Sequence, residues 1–215
     1  MHIPDGFISP KVYVPAYAVA AGLWSYGLKR LRRTLDEEAI PRVAVTTAFS
    51  FVLMMILLPL PGGISVHATG IGLLAVLFGV WTAFLSISLV LLLQALLFGA
   101  GGITSLPVNA LAMGLVGGSA ASLALRLFRP FGERVSRFAA GWLAVNAAAL
   151  VLALVLGIQP RLARAADGTP LFFPFGLSVT IPAILVPHAI LGIGEGILTV
   201  IVCGIYARLG ERKAG

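Results

Sequence analysis

The residues of this chain best suited to bind a metal ion are its three histidines, His2, His67 and His188. His2 follows Met1, and because an imidazole group is bulky we expect Met1 to be retained. The amino group of Met1, the backbone nitrogen of His2 and an imidazole nitrogen of His2 can form two fused chelate rings on one ion. His67 would supply a fourth nitrogen, so the predicted ligand set is Met1, His2 and His67.

Four nitrogens in one plane favour Ni(II) or Cu(II), and cobalt fits if the geometry relaxes. Zinc prefers a tetrahedral site, and a deprotonated amide ligand would make binding depend strongly on pH. Each histidine also has an ordinary alternative. His2 would then be a disordered terminal residue, His67 a solvated surface residue, and His188 an interhelical hydrogen-bond partner.

Four further residues are candidates to support this site. Asp5 and Asn109 are expected to orient the ligating imidazoles, because metal-bound histidines commonly need such a partner. Glu195 lies seven positions after His188 and therefore on the same helical face. Ionisable groups inside a membrane are functional by default, although Glu195 has an interhelical hydrogen bond as its alternative. His188 itself is the fourth candidate.

The elements that must position these residues are apolar helices. The chain has 215 residues, of which 59% are hydrophobic and 11% charged, and its mean hydropathy is +1.03. Soluble domains are about 25% charged. We therefore predict an all-α, polytopic membrane protein with one transmembrane substrate-binding domain over residues 1–215, in which residues 1–11 form the metal-binding segment. The single cysteine excludes a disulfide framework and a cysteine-based metal site.

Seven apolar segments can be drawn along the chain. Residues 68–100 carry no charge and are too long for one span of about 20 residues, so we divide them near Gly79. The opening residues carry no positive charge, unlike a secretory signal peptide, and no cleavage is expected. The predicted segments cover residues 12–28, 43–60, 68–79, 80–100, 106–127, 138–156 and 177–206.

The basic residues predict the orientation of these segments. With the amino terminus outside, the inner loops 29–42, 126–137 and 208–215 hold every Lys and Arg except Lys11, Arg161 and Arg164. The positive-inside rule therefore places the amino terminus outside and the carboxyl terminus in the cytoplasm. The net charge of +7 then reflects membrane topology, and no nucleic-acid partner is expected.

Several motifs resemble the CbiM/NikM family, the substrate-capture components of energy-coupling-factor transporters for cobalt and nickel. The resemblance runs from the first residue to about Thr199. The motifs that carry it are residues 1–7 (MHIPDGF), 65–70 (SVHATG), 94–99 (QALLFG), 101–104 (GGIT), Asn109, Pro187, His188, Gly192, Glu195 and Gly196.

This resemblance implies a seven-helix protein of the prokaryotic cell membrane in which Met1, His2 and His67 bind the metal. The bound ion would be Ni²⁺ or Co²⁺ as substrate, with no catalytic cofactor; the residues do not choose between the two. The implied partners are a transmembrane coupling component, a pair of cytoplasmic ATPases, dedicated or shared, and a small accessory membrane subunit.

Two other functions compete with metal capture. A secondary transporter or channel would use His188 and Glu195 as an ion path and would show inverted repeats, which are not evident. A membrane metalloenzyme would need a general base beside the metal, and none is obvious. The 215 residues contain no Gly-x-x-x-x-Gly-Lys run, the signature of a phosphate-binding loop. We therefore predict a transport subunit that is not an enzyme and depends on a partner for ATP hydrolysis.

Overall fold

The structure is a computed structural model that describes residues 2–59 and 65–214. In these two ranges the chain forms seven helices. They are α1 (Pro10–Thr34), α2 (Ala39–Met55), α3 (Ile71–Phe78), α4 (Val80–Phe98), α5 (Leu106–Leu127), α6 (Glu133–Leu162) and α7 (Leu177–Ala214). A short 3₁₀ turn, Arg129–Phe131, precedes α6. Two very short strands, β1 (Leu58–Pro59) and β2 (Ser65–Val66), pair antiparallel between α2 and α3.

Four of these helices are long and apolar enough to cross a membrane, namely α4, α5, α6 and α7. The shorter helix α2 is also apolar. The predicted helical membrane fold is therefore confirmed for the described part of the chain. The number of crossings and their orientation remain predictions from length and charge.

Helices α1 and α2 depart from their predicted bounds. The first segment was expected to end at Leu28, but α1 continues to Thr34, because Lys, Arg and Leu are good helix formers. The second was expected to reach Leu60, but α2 ends at Met55. Pro59 disfavours helical backbone in the residue before it, and Leu58 instead pairs with Val66 across the strands.

The predicted division near Gly79 is confirmed. Helix α3 ends at Phe78, α4 begins at Val80, and Gly79 between them has a φ of +83°, a conformation that suits glycine. Residues 71–75 of α3 are all buried, so this helix lies inside the protein. Its eight residues extend only about 12 Å, too short to cross a bilayer alone.

Helix α5 has the predicted bounds and an unexpected interior. Residues Ala110–Gly117 form a π-helical stretch, a geometry that is frequent at functional sites. Its glycines serve packing, as predicted: a Cβ on Gly114 would lie 2.9 Å from the Cα of Phe84, and one on Gly117 would lie 3.0 Å from the carbonyl oxygen of Ala144. This close approach holds α5 against α4 and α6.

Helices α6 and α7 extend beyond the predicted segments 138–156 and 177–206 and lie against each other with little space between their backbones. A Cβ on Gly141 would lie 2.6 Å from the carbonyl oxygen of Glu195, and one on Gly192 would lie 2.7 Å from the Asn146 amide nitrogen. Small residues permit such close helix packing in membranes. The contact fixes the face of α7 that carries His188 and Glu195.

Candidate metal site

Residues 2–9 form a segment without regular structure that packs into one end of the helix bundle. The side chains of Ile3 and Ile8 are buried in the core. Asn109 holds the backbone of Ile3 on both sides, because its Oδ1 accepts the Ile3 N–H at 2.8 Å and its Nδ2 donates to the Ile3 carbonyl at 2.9 Å. The hydroxyl of Ser105 donates to the same carbonyl. The backbone next to His2 is therefore fixed in position and orientation.

Two further contacts hold this segment. The Ser9 N–H donates to Oε1 of Gln159 at 2.9 Å. The Asp5 carboxylate accepts the N–H groups of Ile103 at 3.1 Å and Thr104 at 2.9 Å, together with the Thr104 hydroxyl. Partial burial opposes ionisation of Asp5, but these hydrogen bonds outweigh it and hold its pKa below the ordinary value of 3.8. The ionised carboxylate thus ties the segment to the loop before α5.

The structure brings the imidazoles of His2 and His67 together. Their ring centroids are 5.0 Å apart, with 49° between the ring planes. The Nδ1 of His2 is buried and has no hydrogen-bond partner among the described residues. The Nδ1 of His67 lies 3.3 Å from the carbonyl oxygen of Ala68; because a carbonyl only accepts, this Nδ1 carries the proton and Nε2 carries the lone pair.

Both imidazoles are in the form that binds metal ions. Burial lowers the pKa of His2 to about 3 and that of His67 to about 2, because removing a charged group from water is unfavourable. Each ring is therefore neutral at physiological pH, and neutral imidazole is the metal-binding form.

Glu195 fixes the loop that contains His67. Its side chain is buried and accepts hydrogen bonds from the backbone and hydroxyl groups of Thr69 and from the N–H of Gly70. Gly70 immediately precedes α3, so the carboxyl group lies at the N-terminus of a buried helix, where acidic groups are favoured. The loop after His67 is therefore held by the middle of α7.

His188 lies on α7 and borders the same cavity as His2 and His67, which has a volume of about 650 Å³. Its side chain is 2% exposed. Its Nδ1 is 2.6 Å from the carbonyl oxygen of Ile184, one turn earlier in the helix. The interhelical hydrogen bond expected as its alternative is thus not what the described residues show, because the partner belongs to its own helix.

Two of the predicted supporting residues, Asp5 and Asn109, form hydrogen bonds other than the expected ones to the imidazoles. Asp5 and Asn109 were expected to orient imidazole rings, but in the described part of the chain their hydrogen bonds hold backbone groups of residues 3, 103 and 104. Met1 lies outside the described residues. No group of three or more His, Cys, Asp or Glu side chains suited to a metal occurs within residues 2–59 and 65–214.

Sequence reasoning missed residues that shape the site without donating to it. Ser105 and Gln159 anchor the segment through single hydrogen bonds, and Thr69 links Glu195 to the His67 loop. A Cβ on Gly101 would lie 2.8 Å from Cδ2 of His2. Gly101 and Thr69 lie inside the motifs GGIT and SVHATG, whereas Ser105 and Gln159 had no such signal.

The fold and the site define a helical integral membrane protein with two neutral imidazoles at a tightly held N-terminal segment. Comparison with known proteins places it more closely. The chain belongs to the CbiM family, whose model, described as the cobalt uptake substrate-specific transmembrane region, matches residues 2–212.

Curated relatives and a solved structure agree with this placement. The fused nickel transport protein NikMN of Rhodobacter capsulatus is 42% identical over 93% of this chain and 59% of its own length. The probable fused nickel transport protein LarMN of Lactiplantibacillus plantarum is 39% identical over 97% of this chain and 65% of its own length. The chain thus spans about three fifths of these two proteins. A crystal structure of a truncated transition metal transporter superposes with a TM-score of 0.91 at 38% identity, covering 98% of this chain and 99% of that one.

Proposed function

We propose that this chain is the substrate-specific component of an energy-coupling-factor transporter, an ABC-type system, and that it captures Ni²⁺ or Co²⁺ outside the cell. The observation that carries the proposal is the buried Nδ1 of His2, which has no hydrogen-bond partner within residues 2–59 and 65–214. The ring of His2 lies 5.0 Å by ring centroids from the neutral ring of His67. A buried polar atom without a partner costs stability and calls for an explanation. A bound metal ion supplies one.

The proposed ligands are the Met1 amino group, the His2 backbone nitrogen, the His2 Nδ1 and the His67 imidazole. Nδ1 is the ring nitrogen that closes a small chelate ring with the backbone nitrogen of the same histidine, and it is the one without a hydrogen-bond partner in the described part of the chain. Two side-chain ligands and two main-chain ligands also fit a site in which the described side chains form no cluster of three. Four nitrogens in a plane favour Ni(II), and Co(II) fits with a relaxed geometry.

The terminal chelate can be tested by adding two alanines before Met1, which places the histidine fourth in the chain, and measuring Ni²⁺ and Co²⁺ binding by calorimetry in detergent. The extension turns the Met1 nitrogen into a peptide nitrogen and moves the terminal amino group away from His2, so tight binding should be lost. Two alanines added after Gly215 are the matched control and should leave binding as in the unmodified chain. Unchanged affinity in the amino-terminal variant would remove Met1 from the ligand set.

His67→Ala tests the other side of the site in the same calorimetric experiment. It removes the imidazole opposite His2 and should abolish tight binding of both ions. His188→Ala, by contrast, should leave tight binding in place. If only His188→Ala abolished binding, the principal site would lie deeper along α7 than we propose.

ATP-driven uptake requires partners, for which we propose a transmembrane coupling component, a pair of cytoplasmic ATPases and a small accessory membrane subunit in the prokaryotic cell membrane. Within these 215 residues no phosphate-binding loop is present, which supports a separate ATPase and a subunit that is not itself an enzyme. The test is metal uptake into vesicles with and without the ATPase pair. Uptake by this chain alone would favour a secondary transporter instead.

A further inference from the structure

The cavity beside His2 and His67 is much larger than a metal ion needs. Its volume is about 650 Å³, whereas about 10–15 Å³ on the same kind of measure is enough to hold one water molecule. Most of its wall is apolar and includes the side chains of Met54, Leu156 and Ile184. Apart from the three histidines, Thr180 is the only polar side chain among the described residues of the wall, and its hydroxyl donates to the carbonyl of Gly176.

The hydrogen bond of His188 determines which of its nitrogens is available. The carbonyl oxygen of Ile184 can only accept, so Nδ1 of His188 carries the proton and donates to it at 2.6 Å. Nε2 then carries the lone pair, and this atom is buried with no hydrogen-bond partner among the described residues. Metal-binding histidines commonly donate their other N–H to a carbonyl in this way.

The helix around His188 adds a second unsatisfied group. Pro187 lies inside α7, and because proline has no N–H, the carbonyl four residues earlier lacks its helical donor. That carbonyl belongs to Ala183, which also borders the cavity. The part of the wall formed by α7 therefore includes two residues with an unsatisfied polar group, His188 and Ala183.

We propose that His188 is an inner metal ligand, acting through Nε2, which receives Ni²⁺ or Co²⁺ from the site at His2 and His67 and holds it on its way through the protein. This inference rests on the proposed function, because it needs an ion delivered by the outer site. One imidazole, assisted by the Ala183 carbonyl, binds more weakly than a planar chelate. Weak binding suits a site that must release the ion again.

The chain has three histidines, so histidine labelled with ¹⁵N gives one imidazole spin system for each. The protein is reconstituted in nanodiscs, and the His188 signals are assigned by their loss in His188→Gln. Without metal, His188 should show a protonated Nδ1 and an unprotonated Nε2. A first equivalent of Ni²⁺, which is diamagnetic in a planar four-nitrogen site, should perturb His2 and His67, and excess Ni²⁺ should then perturb His188.

The same titration tests the proposed function and the inner site at His188 separately. If His2 and His67 do not respond, the proposed function fails, whatever His188 does. If they respond and His188 stays unchanged in excess metal, or carries its proton on Nε2, the inner site is excluded. A His188 that responds fully to the first equivalent would be a ligand of the outer ion, which overturns a separate inner site.

Uptake by the complete transporter gives a second readout that does not depend on excess metal. His188→Gln should keep tight calorimetric binding but lower the uptake rate by about tenfold or more, the loss typical of residues around metal sites. Ile190→Ala, a change at an exposed position on the same helix, should leave both unchanged. Normal uptake by His188→Gln would contradict the proposal.

Discussion

At the scale of single residues, a glycine leaves room for the imidazole of His2 by having no side chain. Gly101 has a φ of +76°, and a Cβ there would lie 2.8 Å from Cδ2 of His2. Gly99 also has a positive φ, of +62°, but a Cβ there would meet nothing within 4 Å. The two positions share the backbone requirement and differ in their contact with the imidazole.

We therefore expect Gly101→Ala and Gly99→Ala to distinguish the effect of backbone strain from the effect of displacing the His2 ring. Each should lower the free energy of unfolding by about 1–2 kcal/mol, because left-handed backbone is unfavourable for alanine. Only Gly101→Ala should also weaken Ni²⁺ binding, by about tenfold or more, since it displaces His2. Thermal unfolding and calorimetry measure the two effects; equal affinities would show that His2 tolerates the displacement.

Asp5 makes the docking of the N-terminal segment depend on pH. Its pKa is lowered in the folded protein, so its contribution is fully present above the ordinary aspartate pKa of 3.8 and is lost as the pH falls through the lower folded value. The metal-free wild type should therefore hold the Thr104 amide more firmly than Asp5→Asn at pH 6, and this advantage should vanish in strong acid.

The Asp5 prediction is measured through the Thr104 amide resonance during an acid titration. Asp167→Asn is the control, because Asp167 also has a lowered pKa through hydrogen bonds from Thr169 but lies in a different loop. It should leave the Thr104 resonance unchanged. An advantage of the wild type that persisted unchanged into strong acid would mean that the charge of Asp5 is not what holds the segment.

The sequence was enough to predict which residues lie at the candidate site, but not which atoms they contact. The sequence predicted Met1, His2 and His67 as ligands of one ion, and the structure brings the rings of the two histidines together. It also singled out Asp5 and Asn109 but assigned them to imidazoles, whereas their hydrogen bonds hold backbone groups. Which polar atom meets which backbone group depends on the packing of distant helices, and spacing along one chain does not contain that information.

At the scale of elements, Glu195 joins the middle of α7 to the loop before α3. Glu195→Gln should lower the free energy of unfolding by about 1–3 kcal/mol, because an amide N–H₂ cannot accept the buried N–H groups that the carboxyl group accepts. Amide exchange at Thr69 and Gly70 should accelerate, and metal affinity should fall because His67 is in the same loop.

Glu133→Gln is the matched control for Glu195→Gln, because Glu133 is exposed and pairs with Arg137 one turn away. Such pairs contribute about 0.3–0.5 kcal/mol, so its effect should be near the limit of measurement. If the two variants behaved alike, Glu195 would have no special part in holding the loop.

Element bounds were predictable where local chemistry decides them. The glycine between α3 and α4 and the ends of α5 follow from the sequence pattern. The early end of α2 was missed because the hydropathy of residues 56–60 resembles that of a span, while Pro59 and the pairing of Leu58 with Val66 favour extended backbone. The π-helical stretch of α5 had no sequence signal, since it depends on the helices packed around it.

At the scale of the whole molecule, the distribution of charge predicts an outer amino terminus. Cysteines introduced at Asp167 and Arg134, both exposed, test this in a chain whose single native cysteine is buried. A membrane-impermeant maleimide should label Asp167→Cys in intact cells and label Arg134→Cys only after permeabilisation. The opposite pattern would invert the proposed direction of capture.

The helical membrane class was predictable from composition alone, but the cavity was not. Its wall combines the N-terminal segment, the end of α2, the His67 loop, the loop after α4, helix α6, the loop before α7 and helix α7. These parts are distant in the sequence, and no local pattern marks a space between them. The position of His188 in that wall could therefore not be predicted from the sequence and is seen only in the three-dimensional structure.

The glycines at the site have a consequence for how related sequences can vary. Any missense change at Gly101 or Gly102 adds a Cβ, which at Gly101 meets His2 and at Gly102 meets Asp5. A saturation mutagenesis screen scored by metal-dependent growth should find these two positions as intolerant as His2 itself. The positions at which substitution should impair the proposed site thus outnumber the residues that supply its ligand atoms.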